Sequence, residues 1–125
     1  MNKINLTDFG LALFRIGISG LMLVHGIPKI NLLFADTIDF SDPLGLGALV
    51  SLLLTLIGEV VAPIFLIIGF KTKWATIPAF ITMMVAAFIV HGDDPFQRKE
   101  KAIIYALCFA VIFFTGAGKF SLDKK

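Results

Sequence analysis

The chain has 125 residues, 58% of them hydrophobic and 16% charged, with a mean hydropathy of +0.92. A soluble domain carries roughly a quarter charged residues, and one this small leaves much of its chain facing solvent, so a water-soluble fold is excluded and most residues must meet lipid. The formal charge of +2 is too small and too dispersed for a nucleic-acid partner, and the single cysteine, Cys108, excludes an internal disulfide, a Cys-x-x-Cys metal pair and a dithiol relay.

The first apolar run covers about 9–28, one bilayer crossing at about 1.5 Å per residue, and it contains Arg15. A secretory signal would have a shorter, uncharged apolar core followed by a small-x-small cleavage site. Pro28 and Lys29 come next here instead, so the helix is read as retained. Residues 30–43 mix Asn31, Asp36, Asp39, Ser41 and Asp42 with Leu32, Leu33, Phe34 and Phe40, the composition of a loop lying partly in the interface. The second and longest span, 44–70, has Glu59 near its middle and Pro63 as the source of a kink. Lys71, Thr72 and Lys73 make so short a turn that the third span, 74–90, must return antiparallel as the second arm of a helical hairpin. Trp74 suits the interfacial belt, and Pro78 predicts a late start or a bend. Residues 91–101 form a charged loop, 102–117 the fourth span, and 119–125 a polar tail. The prediction is an all-α fold: one domain over 1–125, an integral membrane four-helix bundle.

With four crossings, the termini and the 71–73 turn share one face, carrying Lys3, Lys71, Lys73, Lys119, Lys124 and Lys125 against Lys29, Arg98, Lys99 and Lys101 on the other. Basic residues flanking spans stay inside, so the termini are predicted to be cytoplasmic. Helices in lipid associate through small residues, which points to Gly58-x-x-x-Ala62 and to Ala102, Ala106 and Ala110 as contact faces. Four short spans can stand alone in the bilayer or pair as a homodimer.

The polar residues that lipid makes expensive carry the functional expectations. A charge at mid-membrane costs on the order of 3 kcal/mol or more, so Arg15 and Glu59 should face the bundle interior and find partners. They form the obvious pair, offset by roughly 7 Å of helical rise, within reach of an extended arginine. Two roles remain open: a static ion pair that fixes helix orientation, or a protonatable Glu59 that handles a ligand, a quinone or a proton. His25, Lys29, His91 and Asp93 are predicted at the opposite, outer face, where they either converge on an acidic or carbonyl-bearing ligand or merely meet water and headgroups. Haem ligation by the two histidines and a metal site completed by Asp93 have no further support, and no metal is expected. Cys108 should stay protonated and inert in an apolar setting, and Tyr105, Ser19 and Thr82 are read as interhelical hydrogen-bonders.

Taken together these residues resemble the DoxX family, small bacterial four-helix membrane proteins. The resemblance rests on Arg15, His25-Gly26-x-Pro28-Lys29, Gly58-Glu59-Val60-Val61-Ala62, Ile68-Gly69-Phe70-Lys71-Thr72-Lys73, His91, and the tail Gly116-x-Gly118-Lys119-Phe120-Ser121-Leu122-Asp123. It covers nearly the whole chain, and the charge of the 91–101 loop is the departure from it. The resemblance implies four spans, an inner-membrane location and kinship with a subunit of thiosulfate:quinone oxidoreductase. On that analogy Arg15, Glu59, His25 and Lys29 map to a quinone or small-ligand site. The cations would polarise a carbonyl oxygen and Glu59 would move a proton. No flavin, iron-sulfur or haem motif is present, so electrons would come from quinol or from a soluble or membrane oxidoreductase partner. The alternative is a non-enzymatic membrane scaffold or small-molecule carrier pinned by Arg15 and Glu59.

Overall fold

The computed structural model describes residues 6–123, so Lys3, Lys124 and Lys125, half of the basic residues assigned to the inner face, lie outside the described residues. Four helices succeed one another: α1 (Leu6–Ile30), α2 (Ala48–Ile68), α3 (Thr72–Val90) and α4 (Phe96–Thr115). No strand occurs among the described residues. α1, extended by a 3-10 turn over Asn31–Phe34, α2 and α3 are each long and apolar enough to cross a membrane. α4 begins at Phe96, inside the expected charged loop, because Arg98, Lys99, Glu100 and Lys101 continue the helix rather than interrupt it. Its apolar part, 102–115, covers only about 21 Å at the helical rise, so the flanking basic side chains must snorkel to complete a crossing.

The burial pattern is that of a protein whose solvent is lipid. The largest fully buried side chain is Arg15, 1% exposed, whereas Trp74 and Phe114 are 73% and 78% exposed. The interior between helices is small and tightly matched, with Ala62, Ala75, Ala79 and Ala106 around Met22, Leu66, Met83, Phe109 and Ile112. Where lipid is as apolar as leucine, helices are held by such close packing and by interior polar contacts rather than by withdrawal of apolar surface from water. Gly58 shows this directly. A methyl group there would run into the Thr82 side chain and the Pro78 carbonyl, so only glycine lets α2 and α3 approach so closely.

Pro63 perturbs its helix in a specific way. It has no N–H for the Glu59 carbonyl, and the turn before it, Ile57–Val61, widens into a π-helical turn. The late start offered for Pro78 does not occur. α3 starts at Thr72, before Trp74, and runs helical through Pro78, whose carbonyl accepts a bond from Thr82 Oγ1 at 2.8 Å.

At the end of the bundle holding the α2–α3 turn, the chain closes on itself. Gly69, in the left-handed region, ends α2 with paired bonds from the Phe70 N–H to the Phe65 carbonyl and from the Gly69 N–H to the Leu66 carbonyl. The segment after α4 then lies along this turn, with the Leu122 and Asp123 N–H groups bonded to the Ile68 and Gly69 carbonyls. Lys71, itself left-handed, provides no side-chain cap for α3. The Asp123 carboxylate does so instead, accepting from the Lys71 and Thr72 N–H groups at 2.8 and 2.9 Å. Burial raises the Asp123 pKa, but contacts with Thr72 and the Lys71 amide and ammonium outweigh it and leave the carboxyl below its usual range.

Arg15 locks this arrangement. Its Nε donates to the Leu66 carbonyl at 2.8 Å, one terminal nitrogen to Ala117 and the other to Phe120 at 2.7 Å. The expected Arg15–Glu59 ion pair is therefore absent. The guanidinium takes carbonyl oxygens at the end of α2 and beyond α4, and at Leu66 it uses the second lone pair of a carbonyl that also accepts from the Gly69 N–H. Arg15→Met should lower stability in detergent by about 3–5 kcal/mol, the scale for removing one member of a buried charged network, and expose the 116–123 segment to protease. A cleavage rate equal to wild type would show that the tail is held by other means.

Candidate functional site

Away from that closed end, α2 and α3 separate. From their contact at Gly58, Pro78 and Thr82 they enclose, with the end of α1 and residues 40–44, a cavity of about 460 Å³. Its walls are largely apolar, from Leu54, Ile57, Ile81, Val85 and Val90. The polar groups are few: Lys29 and Glu59, Ser41 and Ser51, Thr55 and Thr82, and His91. Both threonines give their hydroxyl protons to the backbone, Thr55 to the Ser51 carbonyl at 2.9 Å and Thr82 to the Pro78 carbonyl.

Lys29 and Glu59 form the charged centre. Lys29 Nζ lies 2.7 Å from Glu59 Oε1, with the lysine side chain 34% exposed and the glutamate 5%. Glu59 thus finds a cation on α1, as an intramembrane carboxylate requires, but takes Lys29 rather than Arg15. Gly26 makes the contact sterically feasible, because a methyl group there would overlap the Glu59 backbone. The helix continues through Pro28, so Lys29 stays one turn beyond Gly26 instead of leaving with an unwound end.

The other expected outer-face residues divide. His91 comes directly after α3 and lines the cavity, while its Nδ1 lies 2.8 Å from Asp94 Oδ2. Asp93 is exposed and Asp94 takes the contact expected of its neighbour. His25 does not line the cavity. It meets the Tyr105 ring edge-on at 5.7 Å and Lys101 Nζ at 3.5 Å, between α1 and α4. The fold therefore brings Lys29 and His91 to one cavity and leaves His25 and Asp93 out of its lining, and Arg15 sits at the opposite end of the bundle with the tail.

Asp42, in the sequence only a polar loop residue, fixes the roof. Its Oδ1 accepts from the Leu46 N–H at 2.9 Å and Ser51 Oγ at 2.8 Å, and its Oδ2 from the Gly47 N–H at 2.9 Å. Gly45 and Gly47 both have positive φ, which lets the loop turn back onto the carboxylate. The sequence signal is Asp42-Pro43 with Gly45 and Gly47 immediately before a helix. The Ser51 hydroxyl first, then the backbone N–H groups, hold the Asp42 carboxyl below its usual range.

A sequence model of the DoxX family matches residues 10–92. An uncharacterized protein of Haemophilus influenzae is 32% identical over 124 residues, covering 92% of this chain and 89% of that protein. A second uncharacterized protein of the same organism is 29% identical over 69 residues, 52% of this chain and 46% of its own length. No solved structure matches the chain.

The charged pair and the roof each make a measurable difference. In a double-mutant cycle read by detergent melting, Lys29→Met and Glu59→Gln should show coupling of about 1–2 kcal/mol, the lower part of the range for contacting pairs because the lysine is a third open. Arg15→Ala and Glu59→Ala should instead be additive, and coupling between them would contradict the partners seen here. The Asp42 clasp has a pH signature. A carboxyl with a depressed pKa stabilises above its free value of about 3.9 and loses that contribution as pH falls through the lowered value. Amide exchange at Leu46 and Gly47, corrected for intrinsic rate, should therefore stay protected near neutrality and accelerate below about pH 4. Protection unchanged down to the acid limit of folding would show that Asp42 does not hold the roof.

Proposed function

This chain belongs to the DoxX family of membrane proteins, and on that premise we propose that it is an inner-membrane protein whose cavity binds a neutral, carbonyl-bearing ligand of the quinone class. The supporting observation is the Lys29–Glu59 pair at the side of a largely apolar cavity. An ammonium has three protons to donate, and Glu59 Oε1 takes one, so Lys29 keeps donors for a carbonyl oxygen. The second carboxylate oxygen of Glu59 provides an acceptor for the hydroxyl of a reduced ring. The pair carries no net charge, so a neutral ligand leaves no ion uncompensated, whereas an anion or cation would. The volume lies within the usual range of about 300–1,000 Å³ for small-molecule sites.

In this reading His91 is the polar contact at the outer end of the cavity, and His25 acts through Tyr105 and α4 rather than on the ligand. Arg15 is a structural pin. Any electron transfer draws on quinol or on a docked oxidoreductase, since the chain has no redox motif of its own. In this reading the termini lie in the cytoplasm, the side that carries Lys71, Lys73 and Lys119. The second reading, a scaffold or carrier without chemistry, is favoured by Arg15, each of whose three nitrogens bonds one of the chain's own carbonyls.

The test is binding. Protein extracted in mild detergent should carry quinone detectable by mass spectrometry, and Lys29→Met or Glu59→Gln should weaken decylubiquinone binding at least tenfold with helical content unchanged. Folded variants that bind as wild type, or a wild-type protein carrying phospholipid alone, would reject the quinone reading in favour of the scaffold.

A further inference from the structure

The cavity has different closures toward water and toward lipid. On the water side, Phe40, Ser41, Pro43 and Leu44 lie over it, and Asp42 fastens that loop to the start of α2 through Leu46, Gly47 and Ser51. On the side between α2 and α3 no segment covers it among the described residues. The helices touch at Gly58, Pro78 and Thr82 and then part, and the lining there is Leu54 and Ile57 from one helix and Ile81 and Val85 from the other. Ile57 and Ile81 line the cavity and are 44% and 53% exposed, so its apolar wall is not sealed at this side. No described residue of α4 contributes to the lining. From Pro78 to His91 the slot runs along α3 for about 20 Å at the helical rise, longer than a single ring requires.

From this we infer that the ligand is an amphipath with a long apolar tail that enters sideways from the bilayer, between Ile57 and Ile81, and not from the aqueous face. The inference rests on the quinone reading for the identity of the head group. Polarity is graded along the path: the entrance is isoleucine on both sides, and the charged groups a head reaches inside are Lys29 and Glu59. A tail left in the slot lies against the same residues that otherwise face acyl chains, so it binds without desolvating a polar group. Entry through the roof would require the three Asp42 contacts to open, whereas the residues that line the side between α2 and α3 include the half-exposed Ile57 and Ile81.

The experiment compares two probes on protein in phosphatidylcholine nanodiscs: tritiated decylubiquinone, which partitions into the bilayer, and tritiated ubiquinone-0, which has no tail and stays largely in water. Arrival is measured by rapid filtration for wild type, Ile81→Trp, Ile57→Trp and Asp42→Ala, with helical content and melting checked for each. Both tryptophan variants place bulk at half-exposed positions, so either one that keeps the wild-type melting point is sufficient. The expected result is that the tryptophan variants slow decylubiquinone binding at least tenfold more than they slow ubiquinone-0 binding. Asp42→Ala should speed ubiquinone-0 and leave decylubiquinone unchanged. If the tryptophan variants slow both probes equally or neither, or if Asp42→Ala speeds decylubiquinone, lateral entry is overturned while the quinone reading stands. If wild type binds neither probe, the head-group assignment falls and this inference falls with it.

Discussion

A guanidinium buried in a membrane protein needs acceptors from the protein, and in this fold each of the three Arg15 nitrogens finds one in a backbone carbonyl. The acceptors come from parts of the chain far apart in sequence: Leu66 near the end of α2, and Ala117 and Phe120 beyond α4. Satisfying one side chain on α1 therefore fixes where α2 ends and where the chain goes after α4. The tail so placed then caps α3 through Asp123, the helix whose own Lys71 offers no cap. Three of the four helices and the C-terminal segment are tied at one end by this single residue and its consequences.

Because that end is fixed, the other end can be open. Polar contacts at the far end are less enclosed, and the lysine of the Lys29–Glu59 pair remains a third exposed. The roof over the cavity is held by Asp42 from an exposed loop rather than by buried packing. Regions with few buried apolar contacts and exposed hydrogen bonds open at lower free energy than the rest of a fold, so this end of the bundle deforms more easily than the end fixed by Arg15.

The overall architecture is legible in the sequence, because apolar runs of bilayer length, short polar connections and a two-lysine turn leave little choice of fold. Glu59 and Arg15 are also recognisable there as interior groups needing partners. Matching opposite charges nevertheless pairs them with each other, which the fold does not do. The loose carbonyls at helix ends are invisible as residue types, since every residue has one, and only the ending of α2 beside Arg15 makes them acceptors. The place of Lys29 at the end of a predicted span points to the headgroup region. In the fold α1 continues through Pro28 and keeps Lys29 against Glu59. His25 and His91 look equivalent by depth, but depth along a span does not say which side of a helix a residue occupies, and they face different neighbours. The charged 98–101 stretch looks like loop when bilayer length bounds the helix, whereas hydrogen bonding along the backbone does not stop where lipid does.

The segment from Gly58 to Pro63 shows how one short stretch places the site. Glycine at 58 brings α3 against one side of α2, and Gly26 on α1 brings α1 against the other at Glu59. Pro63 withholds an N–H from the Glu59 carbonyl, and the chain widens to a π turn over Ile57–Val61 at that point. An added residue in a turn rotates the preceding part of a helix relative to the part beyond it. Glu59 and Leu66, seven residues apart, both meet α1, the first through Lys29 and the second through Arg15. The irregular turn thus separates the closed end of the bundle from the open one, and Glu59 stands at the boundary.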